Sequence, residues 1–172
     1  MDSQQRLLLE TVYEALEAAG QLLDQPERVL RLAGSYYRTK GLSEEEFYNY
    51  MSRRHGAECA KIHEKYGILK YQMAQTLKLP YGVDDHDLQI EYYFRDLSSL
   101  LAVSADEGFK ALHVEGTPYV RLDEATVALT WVEVYIEGGR LVNIGADGES
   151  LQPSFAEQSD IRVSDRAADK YY

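Results

Sequence analysis

The sequence predicts an α+β fold in which three to four N-terminal helices pack on a C-terminal antiparallel β-meander. Two observations lead to this prediction. Apolar residues recur at helical spacing through residues 1–79, and short turn signals separate the segments. From residue 80 onward the chain has short alternating stretches and turn dipeptides, and the longest β-type stretch is ATVALTWVEVYIEGGRLVNIGADG at 125–148. The 172 residues suffice for one sizeable core, so we expect a single compact domain over 1–172.

The first two helices are predicted from apolar stripes and a break between them. A helix over 3–23 places leucine and valine side chains on one stripe. Asp24 and Pro26 then interrupt the pattern and suit the cap and first turn of a second helix. That second helix is expected to run to about residue 40, where Gly41 ends it.

A capping box predicts the start of the third helix. Ser43 precedes Glu46 by three residues, which is the spacing that satisfies two free amides at a helix start. The segment is expected to continue to Tyr66 and to stop at Gly67. A further short helix over 68–79 would complete the helical part.

The part of the chain from 80 to 163 mixes signals. A helix is favoured for 96–103, whereas 88–94 fits a helix and a strand equally and is left open. Further short strands are predicted at 109–114, 119–122 and 161–163. A loose polar tail is predicted at 164–172.

A Gly-Gly dipeptide predicts a β-hairpin within the 125–148 stretch. Gly138 and Gly139 adopt positive φ at no steric cost, so Glu137 should pair with Arg140 in a two-residue turn. One face of the hairpin would lie on the core, with Val132, Val134, Ile136 and Leu141. The opposite face would carry an aromatic and acidic row, formed by Trp131, Glu133, Tyr135 and Glu137.

The distribution of charge is the most informative global property. Residues 1–80 carry no net charge, so residues 81–172 hold the whole net charge of −11. A negative field of this size disfavours direct binding to nucleic acid or to anionic membranes, and it accelerates encounter with a basic protein partner. No secretory leader and no apolar run of about 20 residues is found, so no membrane contact is expected. A single cysteine, Cys59, fits a reducing compartment, so the sequence predicts a cytoplasmic protein.

His55, Cys59 and His63 recur at intervals of four residues along one predicted helix. These side chains are ligands that zinc prefers, but positions eight apart lie about 12 Å apart along a helix axis. Only one neighbouring pair could share an ion, so the three residues are weak metal candidates. Met51, Ile62 and Tyr66 lie on the same stripe, which favours ordinary core positions.

Catalytic and cofactor motifs are absent from the sequence. It has no Gly-x-Ser-x-Gly elbow, phosphate loop, Gly-x-Gly-x-x-Gly or His-Glu-x-x-His pattern, so no cofactor is expected. An enzyme is therefore the less favoured class. The leading hypothesis is a non-catalytic acidic binding module, an inhibitor or an immunity-type protein that engages a basic nuclease or other nucleic-acid-binding protein through the Trp131, Glu133, Tyr135 and Glu137 face.

Two other hypotheses remain open from the sequence. One is a small-molecule or metal-dependent enzyme whose pocket lies between the helices and the sheet. The other is a homo-oligomer that buries the uncovered sheet face against its own copy.

Overall fold

The computed structural model describes residues 29–77 and 85–159. In chain order the described elements are β1 (Val29–Arg38), α1 (Glu44–Tyr48), a π-helical segment (Asn49–His55), α2 (Gly56–Lys65), β2 (Lys70–Gln75), β3 (Leu88–Phe94), α3 (Leu97–Ala105), α4 (Glu107–Gly116), β4 (Val120–Val132), β5 (Ile136–Glu137), β6 (Arg140–Leu141) and α5 (Phe155–Ser159). The predictions for 3–23, 161–163 and 164–172 lie outside these residues.

Strands β1 to β4 form one antiparallel sheet with the order β2-β3-β1-β4. Helical segments connect β1 to β2 and β3 to β4, and this β-α-β-β-α-β arrangement is the ferredoxin-like fold. The predicted arrangement of N-terminal helices on a C-terminal meander is therefore wrong, because helices and strands alternate along the chain.

Strand β1 replaces much of the predicted second helix. Its inner-face residues Leu30, Leu32, Gly34 and Tyr36 alternate with more polar ones. Apolar side chains in this stretch satisfy both a helical and a two-residue period, so the local pattern does not decide between a helix and a strand. The strand lies between β3 and β4, so both of its edges are hydrogen-bonded. Tertiary pairing, for example Leu32 with Leu129, outweighs the helical pattern.

The capping box and the glycine stop of the following helical region are confirmed. The Ser43 hydroxyl accepts a hydrogen bond from the Glu46 amide, and the Glu46 carboxylate accepts one from the Ser43 amide. Helix α2 ends at Lys65, and Gly67 has a φ of 73°. The π-helical segment between α1 and α2 widens the turn that carries Tyr50 and His55.

The next two predicted elements are corrected or resolved by sheet pairing. The helix predicted over 68–79 is wrong, because Lys70–Gln75 is a strand that pairs antiparallel with β3. The segment 88–94, whose pattern fits a helix and a strand equally, is a strand with four buried apolar side chains on the inner face.

Two aspartates cap the helices between β3 and β4. Asp96 accepts from the amides of Ser98 and Ser99 at the start of α3, which agrees with the helix predicted over 96–103. Asp106 accepts from the Phe109 amide at the start of α4. The strand predicted over 109–114 is therefore wrong.

The Gly-Gly hairpin is confirmed in register but not in burial. Glu137 pairs with Arg140 and Ile136 pairs with Leu141, while both glycines have positive φ. Of the face predicted to lie on the core, Ile136 is 66% and Leu141 is 75% exposed, whereas Val132 and Val134 are half-buried. The hairpin strands are two residues long and form a small sheet of their own.

The main core lies between the inner face of the four-stranded sheet and the helices. It contains Leu30, Ile90 and Phe94 from the strands, and Met51 and Leu97 from the helical segments. A second cluster, formed by Cys59, Val103, Phe109 and Leu112, joins α2, α3 and α4. Among the described residues no helix is long and apolar enough to cross a membrane.

Candidate functional site

Two small cavities lie between the inner sheet face and the helices. The first has a volume of about 40 Å³ and the second about 30 Å³. Tyr36, Tyr92 and His113 line both, so these three side chains form the boundary between them. Each cavity is smaller than a substrate-sized ring, so such a ring fits only if a boundary side chain moves.

His113 is held in one tautomer by its own helix. Its Nδ1 lies 3.1 Å from the carbonyl oxygen of Phe109, one turn earlier in α4. A carbonyl only accepts, so Nδ1 carries the proton and Nε2 keeps a lone pair. Burial lowers the pKa of His113, partly offset by this hydrogen bond, so the ring is neutral at neutral pH. It therefore has the protonation state of a general base.

Tyr36 has the opposite character. Burial, with a smaller contribution from Cys59, raises the pKa of Tyr36 to about 12. The hydroxyl therefore keeps its proton and can only donate it to a strong base or to a leaving oxygen. The ring lies directly over Gly34, because a Cβ at position 34 would stand 2.4 Å from the Tyr36 hydroxyl oxygen. Glycine at this position leaves the space that the tyrosine ring occupies.

Two buried polar atoms without a hydrogen-bond partner among the described residues meet beside the second cavity. They are the hydroxyl oxygen of Tyr50 and Nδ1 of His55. A Cβ at Gly116 would lie 3.6 Å from the first atom and 3.7 Å from the second. The Tyr50 ring is fixed by stacking on Tyr119, with ring centroids 3.7 Å apart. Buried polar atoms in native proteins are usually hydrogen-bonded to protein groups or to ordered water, so this pair is a candidate site for a bound polar group.

The other nitrogen of His55 contacts Cys59. The Nε2 atom lies 3.4 Å from the thiol sulfur, one turn along the helix. Burial raises the pKa of the Cys59 thiol to about 12 and lowers the pKa of His55 to about 4, so both groups are neutral. The Tyr71 hydroxyl is a neighbour of Cys59, and each group influences the pKa of the other. The angles and distances between them do not make a hydrogen bond. A neutral buried thiol is a poor nucleophile.

His63 lies apart from His55, inside an aromatic cluster. Its ring meets those of Tyr71 and Tyr92 edge-on at 4.6 and 4.8 Å, and neither of its nitrogens has a hydrogen-bond partner among the described residues. Burial lowers the pKa of His63 to about 4. Within residues 29–77 and 85–159 no group of three or more His, Cys, Asp or Glu side chains is arranged to hold a metal ion. Metal binding by His55, Cys59 and His63 stays a prediction.

The predicted partner-binding row is split by the structure. Trp131 packs against the core and lies 6.0 Å from the Phe155 ring. Tyr135 donates a hydrogen bond of 2.9 Å to the exposed Glu133 carboxylate beyond the end of β4. Glu137 is exposed in the hairpin. Trp131 is thus directed toward the interior, whereas the other three are on the surface.

Sequence reasoning missed the residues that line the cavities. The sequence predicts a helix at Tyr36 and a strand at His113, so it relates neither residue to His55. Gly34 and Gly116 carried no signal by themselves, because a glycine that leaves room for another side chain resembles any other glycine in a sequence.

The fold and the site together define a ferredoxin-like α+β protein with two interior cavities lined partly by histidine and tyrosine side chains. Comparison with known proteins agrees with an enzyme-like class. The EthD domain matches residues 39–118, which include α1, α2, β2, β3, α3 and α4. A putative oxygenase of Aspergillus terreus is 30% identical over 145 residues, which cover 76% of this chain and 91% of that protein.

Two further relatives are fungal dehydratases. Dehydratase aurZ of Gibberella zeae is 23% identical, with 69% of this chain and 86% of that protein covered. A conidial pigment biosynthesis dehydratase of Metarhizium robertsii is 22% identical, with 69% and 92% covered. The chain belongs to the EthD-domain family. The predicted inhibitor or immunity function is therefore wrong, since these relatives are named as an oxygenase and as dehydratases.

Proposed function

We propose that this protein is a dehydratase that eliminates water from a β-hydroxy ketone. The observation that carries the proposal is the shared boundary of the two cavities, where His113 offers a free lone pair and Tyr36 a retained proton. Elimination of water needs this combination, because one group removes a proton from carbon while the other protonates the leaving oxygen. The names of the two dehydratase relatives agree with it.

In the proposed reaction, Nε2 of His113 takes the proton next to the substrate carbonyl. The electrons of that C–H bond first move toward the carbonyl oxygen as an enolate, and they then form the new C=C bond as the C–O bond of the hydroxyl group breaks. The Tyr36 hydroxyl gives its proton to the departing oxygen, which leaves as water. The proton held by His113 then returns to Tyr36 through that water, so the enzyme ends unchanged.

The chemistry of the lining favours an apolar, aromatic substrate. Leu32, Leu100, Val103, Phe109 and Val127 surround the first cavity. A ring of substrate size exceeds 40 Å³, so the Tyr36 ring has to swing away from Gly34 and join the cavities as the substrate enters. In the moved position the Tyr36 hydroxyl would lie next to the bound substrate.

The test uses the purified protein and a panel of aryl-substituted β-hydroxy ketones in D2O. Enone formation is followed by absorbance and exchange of the α-proton by NMR. His113→Gln and Tyr36→Phe should each slow enone formation by about 10²- to 10⁴-fold. Tyr48→Phe is the matched control, since Tyr48 is 49% exposed and should leave the rate unchanged. Full activity in His113→Gln would refute the assignment of the base.

A second candidate function follows from the 30% identical putative oxygenase. Removal of the same proton by His113 would give a carbanion, which O2 would oxidise to a peroxide on that carbon. Loss of water from this peroxide, with the second hydrogen of the carbon, would leave a new carbonyl group, so one oxygen atom of O2 enters the product and the other leaves as water. The two functions differ in stoichiometry. A dehydratase releases its product at the same rate with and without O2, whereas an oxygenase consumes O2 in proportion to product.

We also propose a homodimer formed through the outer face of the sheet. This face carries small and polar side chains, among them Ser35, Ala74, Thr126 and Ala128, while the described helices pack on the inner face. Two such faces can pack at about 10 Å. Light scattering of the wild-type protein should give twice the monomer mass. The variant Ala128→Arg should give the monomer mass, because a charged side chain on this face prevents the two sheets from packing. The cytoplasmic location stays a prediction.

A further inference from the structure

The site beside Gly116 differs from an ordinary buried contact because two unpaired atoms share it. Tyr50 is 9% exposed and His55 is 6% exposed, so neither polar atom reaches bulk water. The Tyr50 hydroxyl oxygen and Nδ1 of His55 are both within 3.7 Å of one point, the place where a Cβ on Gly116 would stand. Because Gly116 has no side chain there, an oxygen atom in van der Waals contact with its Cα can approach both polar atoms from the adjoining cavity and receive hydrogen bonds from them after small adjustments. The adjoining cavity of about 30 Å³ has room for it.

Both side chains are donors at this point. Burial raises the pKa of Tyr50 to about 12, so its hydroxyl keeps a proton to donate. The donor character of His55 follows from Cys59, since a neutral thiol is a weak acceptor and an imidazole lone pair is a good one. The 3.4 Å contact is therefore a thiol that donates to Nε2, which places the single ring proton on Nδ1.

We propose that Tyr50 and His55 form a two-donor site for one oxygen of the substrate, its ketone carbonyl, beside Gly116. This inference rests on the proposed elimination, in which removal of the α-proton moves an electron pair onto the carbonyl oxygen as an enolate. The two donors stabilise that negative oxygen, which then returns the pair as the hydroxyl oxygen, protonated by Tyr36, leaves as water. Neutral donors fixed before the reaction are the usual means of stabilising such an oxyanion. Cys59 acts as a positioning residue that fixes the tautomer of His55.

The arrangement also gives each histidine a separate task. His113 and His55 have ring centroids 6.0 Å apart and both line the second cavity. His113 presents a lone pair because Nδ1 donates to the Phe109 carbonyl, whereas His55 presents a proton because Nε2 accepts from Cys59. One faces the carbon acid as a base, and the other faces the oxygen as a donor.

The sharpest variant is Gly116→Ala. The new methyl group would be in ordinary van der Waals contact with Tyr50 and His55, so the protein should fold normally. The methyl group would nevertheless fill the space through which an oxygen approaches the two donors. Alanine also suits this helical position better than glycine does, so lost activity could not be attributed to a weakened helix.

The probe for binding is 4-nitrophenol, whose phenolate oxygen resembles an enolate and whose absorbance reports ionisation. The wild-type protein should bind the phenolate form, whereas Gly116→Ala, Tyr50→Phe and His55→Gln should each weaken binding by at least about tenfold. Tyr48→Phe should bind as the wild type does. Binding that is absent in the wild type, or equal in all variants, would overturn the two-donor site.

A second measurement needs neither a probe nor turnover. Nitrogen NMR of labelled histidine should show His55 with its proton on Nδ1, and Cys59→Ala should reduce the population of this tautomer. A lone pair on Nδ1 in the wild type would overturn the proposal.

The elimination and the oxygen site fail in different ways. If no β-hydroxy ketone loses water while phenolate binding still depends on Tyr50 and Gly116, the dehydratase assignment is wrong and the site stands. If water is lost at the wild-type rate in Gly116→Ala, the oxygen site is wrong and the dehydratase assignment stands.

Discussion

Mild acid should destabilise this protein because two buried histidines must remain neutral in the folded state. Burial lowers the pKa of His55 and His63 from 6.5 to about 4. Between these two values the unfolded chain binds protons that the folded chain does not, so stability is full above pH 6.5 and falls as the pH decreases toward 4. At about pH 5 each histidine costs about 2 kcal/mol relative to neutral pH.

The two residues together therefore remove about 4 kcal/mol, a large part of the roughly 5–15 kcal/mol that stabilises an ordinary domain. His113 acts in the same direction, because burial lowers its pKa as well. Carboxylates contribute little at about pH 5, since their unfolded pKa values lie near 4.

The variant His63→Phe measures the contribution of His63 to the stability lost in acid. A phenyl ring suits the cluster of Tyr71, Tyr92 and Phe109, and it removes two buried nitrogens that have no hydrogen-bond partner among the described residues. Stability at about pH 8 should stay equal or rise by about 1–3 kcal/mol, because the cost of unpaired polar atoms disappears. The loss between about pH 8 and about pH 5 should shrink by about 2 kcal/mol.

The assay is urea unfolding at the two pH values, followed by the fluorescence of Trp131, the single tryptophan. Its contact with the core makes this signal sensitive to unfolding of the main sheet. Tyr48→Phe serves as the control and should keep the full pH dependence. The same pH dependence in His63→Phe and in the wild type would refute the reasoning, because it would show that His63 is not a buried neutral group.

Three other predictions concern single contacts. Gly34→Ala should destabilise the fold by about 1–3 kcal/mol by overpacking and should reduce elimination, because its methyl group displaces the Tyr36 ring; chemical unfolding and the enone assay measure the two effects. Asp106→Ala should lower the free energy of unfolding by about 0.5–2 kcal/mol through loss of the α4 cap, whereas Asp106→Asn should keep most of it. Burial and a pKa raised to about 12 should leave Cys59 unreactive toward a disulfide reagent at neutral pH until urea unfolds the protein, and fast labelling of the native protein would contradict this.

The parts of the fold that sequence predicts are those with local causes. The Ser43 and Glu46 capping box, the stop at Gly67 and the turn at Gly138 each depend on a few neighbouring residues. Strand β1 has no such local signal, because its apolar residues fit both periods. Its state is decided by pairing with Val127–Val132 about a hundred residues later, which a local pattern does not contain.

The candidate site follows the same division. The spacing of His55 and Cys59 was visible in the sequence, and the structure places these two side chains in contact. Their meaning was not visible, because Tyr36, His113 and Gly116 reach the site from other elements. With β1 and α4 assigned to the wrong secondary structure, a cavity between them could not be anticipated.

His63 and His55 both have buried nitrogen atoms without a hydrogen-bond partner among the described residues, but they differ in their surroundings. His63 is enclosed by aromatic rings, and neither cavity includes it, so its unpaired nitrogens only lower stability. His55 bears a similar cost, but its unpaired nitrogen lies beside a cavity together with a second donor and a glycine that leaves room for an oxygen. A buried polar atom that lacks a hydrogen bond and has no cavity beside it only lowers the stability of the fold. The same atom beside a cavity indicates a binding group, because a ligand can supply the missing hydrogen bond. By this criterion His63→Phe should stabilise the protein without loss of phenolate binding, and His55→Phe should abolish that binding.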